Sequence, residues 1–116
     1  MITNSLDRES ILNELRGLKL ELRDRYKVTK IGVFGSVARN EATEESDIDI
    51  VVEMEPNILK RVGLKQELEK LFNKEVDIIR YRNNMNPYLK SEIDREAIYA
   101  WTSKSFEAIF RNWWGN

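Results

Sequence analysis

The first apolar residues of the chain recur at the spacing of one helical face. The intervals are four, three and four residues, and the positions are Ile11, Leu15, Leu18 and Leu22. Such a one-sided stripe is typical of an amphipathic α-helix that packs on a core. The pattern predicts a single unbroken helix that ends near Tyr26.

Three short apolar runs further along the chain predict β-strands. They cover residues 28–34 (VTKIGVF), 47–52 (DIDIVV) and 75–80 (EVDIIR). Alternate residues of a strand point to the same face of its sheet, so Asp47 and Asp49 project the same way. The presence of two carboxylates on the same face of this strand therefore requires an explanation.

Two further helices are predicted from apolar stripes. The first covers residues 58–72, and the second covers residues 87–101. Their stripes are Leu64, Leu68 and Leu71, and Leu89, Ile93, Ala97 and Ala100. The resulting order of helix, strand, strand, helix, strand and helix predicts one small α/β domain, with a small mixed sheet and helices mainly on one side. We expect this domain to cover residues 1–101.

The last stretch, residues 102–116, differs from the rest because it is rich in aromatic residues. Phe106, Phe110 and Trp113 fall at helical spacing. Two interpretations stay open for this tail. It is either an amphipathic segment that docks on a partner or a non-native, vector-derived segment.

Composition narrows the class of protein. The chain has 116 residues, of which 41% are hydrophobic and 34% charged, as is typical of one soluble globular domain. No apolar run approaches the roughly 20 residues of a membrane helix, and the first residues lack the features of a secretory signal peptide. We therefore expect a cytoplasmic protein without membrane contact. A net charge of −1 also predicts no direct binding to nucleic acid.

Cysteine and histidine are both missing from the chain. Thiolate and imidazole metal ligands are thereby excluded, as is a histidine general base. Carboxylates remain, and they select hard cations such as Mg²⁺.

The candidate chemistry lies at the ends of the predicted strands. Gly35 and Ser36 end the first strand, where a glycine lets other groups approach the backbone. Free amides and the Ser36 hydroxyl at the start of a helical turn suit a phosphate. We expect Asn40 to end this turn, because asparagine tolerates the left-handed conformation. Arg39 lies within this turn, and it can bind a phosphate, bind a partner or pair with the acidic loop that follows.

Three aspartates form the candidate metal site. Asp47 and Asp49 begin the second strand, and Asp77 lies within the third. Adjacent carboxylates repel each other unless a cation lies between them. Three carboxylates with two Mg²⁺ ions suit an in-line phosphoryl displacement, and Asp77 can accept the proton of the attacking hydroxyl. A simple Gly-Ser turn and a capping aspartate are the alternatives, but aspartate is disfavoured in strands.

The string Gly-Ser, ten residues and Asp-x-Asp resembles the signature of the polymerase-beta-like nucleotidyltransferases. In particular, GSVARNEATEESDIDIVV is similar to the minimal nucleotidyltransferases of bacteria and archaea. The resemblance extends over about residues 30–101, and the family's third carboxylate falls on Asp77. The chain departs from the family at Asn40, where glycine is common, and at 95–97, where Glu-Gly often occurs.

This resemblance implies a polymerase-beta-like nucleotidyltransferase fold and a more particular function. Minimal nucleotidyltransferases of this kind are often the antitoxins of HEPN-type ribonuclease toxins, to which they transfer AMP from ATP at a tyrosine hydroxyl. It implies ATP as substrate, a hetero-oligomer with the toxin, nucleotide contacts from Gly35, Ser36 and Arg39, and metal contacts from the three aspartates. Two alternatives remain: neutralisation of the toxin by binding alone, and transfer to the hydroxyl of a small molecule.

Overall fold

A four-stranded mixed sheet organises the chain, for which a computed structural model describes residues 7–102. The helices are α1 (Arg8–Gly17), α2 (Lys19–Tyr26), α3 (Gly35–Ala38), α4 (Ile58–Phe72) and α5 (Pro87–Glu96). The strands are β1 (Lys30–Phe34), β2 (Ile48–Glu53), β3 (Val76–Arg80) and β4 (Ile98–Thr102). The predicted α/β class is confirmed.

The strand order is β3-β2-β1-β4. β1 pairs antiparallel with both β2 and β4, whereas β2 and β3 are parallel. Helix α4 connects the parallel pair, since parallel strands need a long crossover. The mixed character of the predicted sheet is thus confirmed.

Two apolar clusters cover the two faces of the sheet. The larger one joins α1, α2 and α4 to one face and includes Ile50 of β2. The smaller one joins α5 to the other face and includes Val51 of β2 and Ile93 of α5. Neighbouring residues of one strand thus enter different clusters, as the two-residue period of a strand requires. Most helices lie on one side, as predicted.

Local capping fixes the two long helices. The Asn57 side chain accepts a hydrogen bond from the Lys60 amide at 3.0 Å, and α4 has the predicted bounds. In the same way, Asn86 accepts from the Leu89 amide at 3.2 Å at the start of α5. A side chain that accepts from the third residue beyond it is a typical N-cap.

The prediction of a last helix over 87–101 was wrong for its last five residues, 97–101. Helix α5 ends at Glu96, Ala97 is extended, and β4 follows. Ala97 and Ala100 continued the helical stripe, but the β-branched and aromatic residues Ile98, Tyr99 and Trp101 favour a strand. Pairing with β1 decides in favour of a strand over a helix. The local sequence pattern does not reveal this pairing, because the two segments are distant in the chain.

The first helix also differs from its prediction. It divides at Leu18 into α1 and α2, directly after Gly17. Glycine destabilises the interior of a helix, so a break beside it costs little free energy. Strand β4 reaches Thr102, one residue past the expected domain boundary, and the predicted tail from 103 onward lies outside the described residues. Among the helices of residues 7–102, none is long and apolar enough to cross a membrane.

Candidate active site

The turn after β1 is built around Gly35. Its φ angle is +72°, in the region that favours glycine. A Cβ atom at this position would also clash with the carboxylate of Asp49. Both the backbone conformation and the nearby carboxylate therefore require glycine at position 35. The same contact shows that the predicted phosphate turn touches Asp49, one of the predicted metal ligands. Asn40 ends the turn at a φ of +64°, as predicted.

Strand register sets the three aspartates beside that turn. Asp49 pairs with Phe34 of β1 on one side and with Asp77 of β3 on the other. Side chains of residues paired in this way share a sheet face, and neighbouring strands are about 4.8 Å apart. Asp47 comes two residues before Asp49, just ahead of β2. The structure thus brings all three predicted ligands to the same end of the sheet, where β2 and β3 begin.

The loop that delivers Asp47 is tied down by short-range hydrogen bonds. The Ser46 hydroxyl accepts from the Thr43 amide at 2.9 Å, and the Ser46 amide donates to the Thr43 carbonyl at 3.0 Å. Ser46 therefore closes a turn. The ammonium group of Lys74, just before β3, donates to the Glu44 carbonyl and links the loop to the next strand.

Asp49 lies in an unfavourable electrostatic environment. Burial, followed by the negative charges of Asp77, Asp47 and Glu92 in that order, raises its pKa to about 6, against the opposing effect of Arg39. Asp47 and Asp77 are themselves exposed. A cation stabilises a half-buried carboxylate that has other carboxylates around it.

The donor set of this site fits a hard divalent cation. Within residues 7–102 no three acidic side chains converge closely enough to enclose an ion. However, paired strands already place Asp49 and Asp77 side by side. Rotation of side chains between staggered conformers therefore changes where their oxygens meet without moving the backbone. Carboxylate oxygens of this kind are the ligands that Mg²⁺ accepts, usually together with water and phosphate.

Ser36 and Arg39 flank the turn. Ser36 lies within α3, and its side chain is half-buried. Arg39 forms ion pairs with Glu41 and with Glu96 of α5, each at 3.0 Å. Of the three interpretations of Arg39, pairing with the acidic loop is seen at Glu41. Its contact with a phosphate stays a prediction.

Sequence reasoning missed Glu92 and Glu96, which α5 brings to the site. The two residues are four apart on the helix, so they lie on one side of it. Glu96 reaches Arg39, and Glu92 acts on the charge of Asp49. Their spacing was visible in the sequence, but the side of α5 that faces the aspartates depends on how the helix crosses the sheet.

Comparison with known proteins identifies the family of this chain. The chain matches the nucleotidyltransferase domain family over residues 15–100, more than half of its length. The chain belongs to the nucleotidyltransferase family. The prediction of an enzyme of this class, and of its fold, is thereby confirmed.

Relatives of this nucleotidyltransferase modify proteins. It is 40% identical over 93 residues to the protein adenylyltransferase MntA of Thermococcus cleftensis, a match that covers 78% of this chain and 93% of the relative. It is 45% identical over 89 residues to a candidate protein adenylyltransferase of Methanocaldococcus jannaschii, which covers 73% of this chain and 89% of the relative.

Solved structures of the same fold lead to the same family. A minimal nucleotidyltransferase superposes with a TM-score of 0.65 at 40% identity, covering 79% of this chain and 94% of that one. A toxin–antitoxin structure with AMP-PNP gives a TM-score of 0.65 at 28% identity, with coverages of 84% and 80%. The resemblance to minimal nucleotidyltransferases of toxin–antitoxin pairs is confirmed.

Proposed function

We propose that this nucleotidyltransferase is the antitoxin of a HEPN-type ribonuclease toxin and transfers AMP from ATP to a tyrosine hydroxyl of that toxin in the presence of Mg²⁺. The observation that carries the proposal is the position of Asp49, which pairs with Asp77 across two strands and lies against Gly35. A phosphate turn and metal-ligating carboxylates in direct contact are what a nucleotidyl transfer needs.

The similar proteins support both the reaction and the partner. The Thermococcus cleftensis relative is a protein adenylyltransferase, and the toxin–antitoxin of similar fold was solved with AMP-PNP, an analogue of ATP. Adenylyl transfer to a protein acceptor, and a toxin as that acceptor, follow as proposals for this chain.

The residues of the site divide the work between phosphate and acceptor. In this proposal Gly35 and Ser36 hold the triphosphate through backbone amides and the serine hydroxyl. Arg39 adds a positive charge at the same turn. The three aspartates would hold Mg²⁺, which would supply positive charge to the phosphate oxygens and the departing pyrophosphate. Asp49 is half-buried on β2, between β1 and β3, and this central strand fixes its backbone position for this role.

Asp77 is the proposed base. The acceptor hydroxyl attacks the α-phosphorus of ATP, the bond from that phosphorus to the pyrophosphate oxygen breaks, and the hydroxyl proton passes to the Asp77 carboxylate. Asp77 is exposed. An exposed base at the edge of the sheet suits an acceptor that is carried by another protein.

Label transfer tests the proposal. The protein is mixed with ATP labelled at the α-phosphate, Mg²⁺ and a HEPN-type ribonuclease toxin as the candidate partner. We expect the label on a tyrosine of the partner, and we expect its loss with EDTA or with Asp49→Asn. A matched control is Asp94→Asn, because Asp94 accepts a hydrogen bond from Tyr81 on the other side of α5 and should leave transfer intact.

The same experiment separates the alternative in which the antitoxin acts by binding alone. Under that alternative the ribonuclease is inhibited while no label moves, and the Asp49→Asn protein inhibits it equally well. This pair of results would reject the proposed transfer.

A further inference from the structure

The backbone of the turn after β1 is held in place by hydrogen bonds. The Arg39 amide donates to the Gly35 carbonyl at 3.0 Å, which closes the turn on itself. From the start of α1, the Arg8 guanidinium donates to the Ala38 carbonyl at 2.6 Å. Because these bonds fix the backbone around Arg39, the direction of its guanidinium depends on what its own side chain contacts.

Two carboxylates hold the Arg39 side chain. Its Nε atom donates to Glu41 and its Nη1 atom donates to Glu96, each at 3.0 Å. The Glu41 side chain is 65% exposed, whereas the Glu96 side chain is 17% exposed. Solvent screens an exposed ion pair, so Glu96 is the stronger of the two anchors of Arg39.

Glu96 is itself fixed by the fold beside this turn. It is the last residue of α5, and β4 begins two residues later at Ile98. Ile98 pairs with Val33 of β1, which precedes Gly35 by two residues. The pairing of β4 with β1 therefore holds the end of α5, and with it the Glu96 carboxylate, next to the turn.

The Arg39 guanidinium lies near the aspartates and has donors left for a phosphate. Its positive charge is close enough to Asp49 to lower the pKa of that carboxyl, and Asp49 is in contact with Gly35. A guanidinium has five N–H donors, of which the bonds to Glu41 and Glu96 use two. A phosphate at the turn can therefore be bound by Arg39 while Glu96 still holds it.

We propose that Glu96 is a positioning residue of the nucleotide site, which holds the Arg39 guanidinium at the turn and thereby raises the affinity for a nucleoside triphosphate without touching it. This proposal rests on the proposed function, since it assumes that the turn at Gly35 binds the triphosphate. A ligand that must immobilise a long side chain loses affinity, and a partner that already holds the side chain removes part of this cost.

A purely electrostatic effect of Glu96 would have the opposite sign. Glu96 carries a negative charge near the proposed position of the triphosphate, so its removal would strengthen nucleotide binding if repulsion dominated. The ion pair with Arg39 offsets this repulsion, because the pair as a whole is neutral. The direction of the change in affinity therefore distinguishes positioning from repulsion.

Calorimetric titration of the purified protein with AMP-PNP and Mg²⁺ tests the proposal. We expect Glu96→Ala to weaken binding about 3- to 10-fold, the effect of leaving one long side chain to be immobilised by the ligand. Glu96→Gln should keep most of the affinity, because its amide oxygen can still accept from Arg39. The matched control is Asp94→Ala, which removes a carboxylate that binds Tyr81 on the other side of α5 and should leave the affinity unchanged.

A double variant separates positioning from general support of the fold. If Glu96 acts through Arg39, adding Glu96→Ala to Arg39→Ala should not weaken binding beyond the loss that Arg39→Ala causes alone. A further loss of similar size in the double variant would overturn the proposal. The melting temperature of each variant shows whether it is folded. If Glu96→Ala is not, Glu96→Asp replaces it, since it keeps the charge but withdraws the carboxylate from Arg39, and the same weakening is expected.

The unchanged protein separates this proposal from the proposed function. If it does not bind AMP-PNP with Mg²⁺, the proposed function fails, and the positioning role fails with it. If it binds, and Glu96→Ala binds as tightly or more tightly, the positioning role is rejected while the proposed function stands.

Discussion

At the scale of single residues, the candidate active site contains a carboxylate that lowers the stability of the fold. Asp49 is half-buried beside Asp77 and close to Asp47 and Glu92, and burial together with these charges raises its pKa to about 6. Above that pH Asp49 is ionised, and its charge is solvated less well in the fold than in water. Sites that bind charge commonly keep such unfavourable groups, because their ligand supplies the missing stabilisation.

We predict that Asp49→Asn stabilises the metal-free protein at pH 7 while abolishing transfer. A raised pKa means that the folded state holds the proton more tightly than the unfolded state. Asp49 therefore favours folding at low pH, and this contribution is lost as the pH rises from about 4 to about 6. Allowing for solvent screening, we expect a gain of about 1–2 kcal/mol in the free energy of unfolding at pH 7.

Urea unfolding in EDTA at pH 7 and at pH 4 measures this effect. The two proteins should differ at pH 7 and agree at pH 4, where Asp49 is protonated in the folded state. Asp94→Asn is the control of opposite sign, because the Tyr81 hydroxyl, followed by Lys90, lowers the pKa of Asp94. Lower stability of Asp49→Asn at pH 7 would contradict the explanation.

Gly35 allows a second test at this scale. Gly35→Ala places a Cβ against the Asp49 carboxylate on a backbone with a φ of +72°. We expect a loss of about 1–3 kcal/mol of stability from backbone strain alone, and a loss of transfer. The control is Gly17→Ala, since a Cβ at Gly17 meets nothing within 4 Å. Equal effects of the two substitutions on stability and transfer would contradict the role of Gly35.

At the scale of elements, the local pattern and the tertiary contacts carried different information. Helix α4 could be predicted to the residue, because Asn57 caps it and Leu64 and Leu68 mark its buried face. Strand β4 could not be predicted, because Ala97 and Ala100 extend the apolar stripe of α5. The pairing with β1 that makes this segment a strand is a contact between distant parts of the chain. The three aspartates were predictable from spacing, whereas Glu92 depends on the direction in which α5 crosses the sheet.

Trp101 tests whether β4 is the edge strand that the structure shows. Its indole N–H donates to the Leu15 carbonyl of α1 at 3.0 Å, and the side chain is buried. We expect Trp101→Phe to lower the free energy of unfolding by about 1–3 kcal/mol, through the lost hydrogen bond and the lost volume.

Denaturant unfolding gives the measurement for Trp101→Phe, with exposed Tyr88→Phe as the aromatic control. The control should change stability by less than about 0.5 kcal/mol. If Trp101→Phe is as stable as the unchanged protein, Trp101 does not anchor β4 to α1.

At the scale of the whole molecule, one face of the sheet packs on the main core and the other face carries the candidate site. The larger core lies on one face of the sheet, and the aspartates and α5 lie on the other. Adjacent residues of β2 serve both purposes, since Ile50 enters the larger core while Asp49 faces the site. The sequence could predict this division from the two-residue period alone.

Binding of the metal and the nucleotide together should stabilise the molecule as a whole. We expect Mg²⁺ with AMP-PNP to raise the melting temperature, because a ligand at about 100 times its dissociation constant adds about 2.7 kcal/mol to the free energy of unfolding. AMP-PNP with EDTA should have little effect, since the phosphates then meet the aspartates without a cation. A rise that persists in EDTA would indicate binding elsewhere.

The central claim is that Asp47, Asp49 and Asp77 hold a divalent cation beside the turn at Gly35. Crystals grown with Mn²⁺ and AMP-PNP test it most directly, because Mn²⁺ is located by its anomalous scattering. We predict anomalous density in contact with carboxylate oxygens of all three aspartates, with the triphosphate against the turn. Density at another place, or an Asp77 carboxylate turned away from the ion, would contradict it.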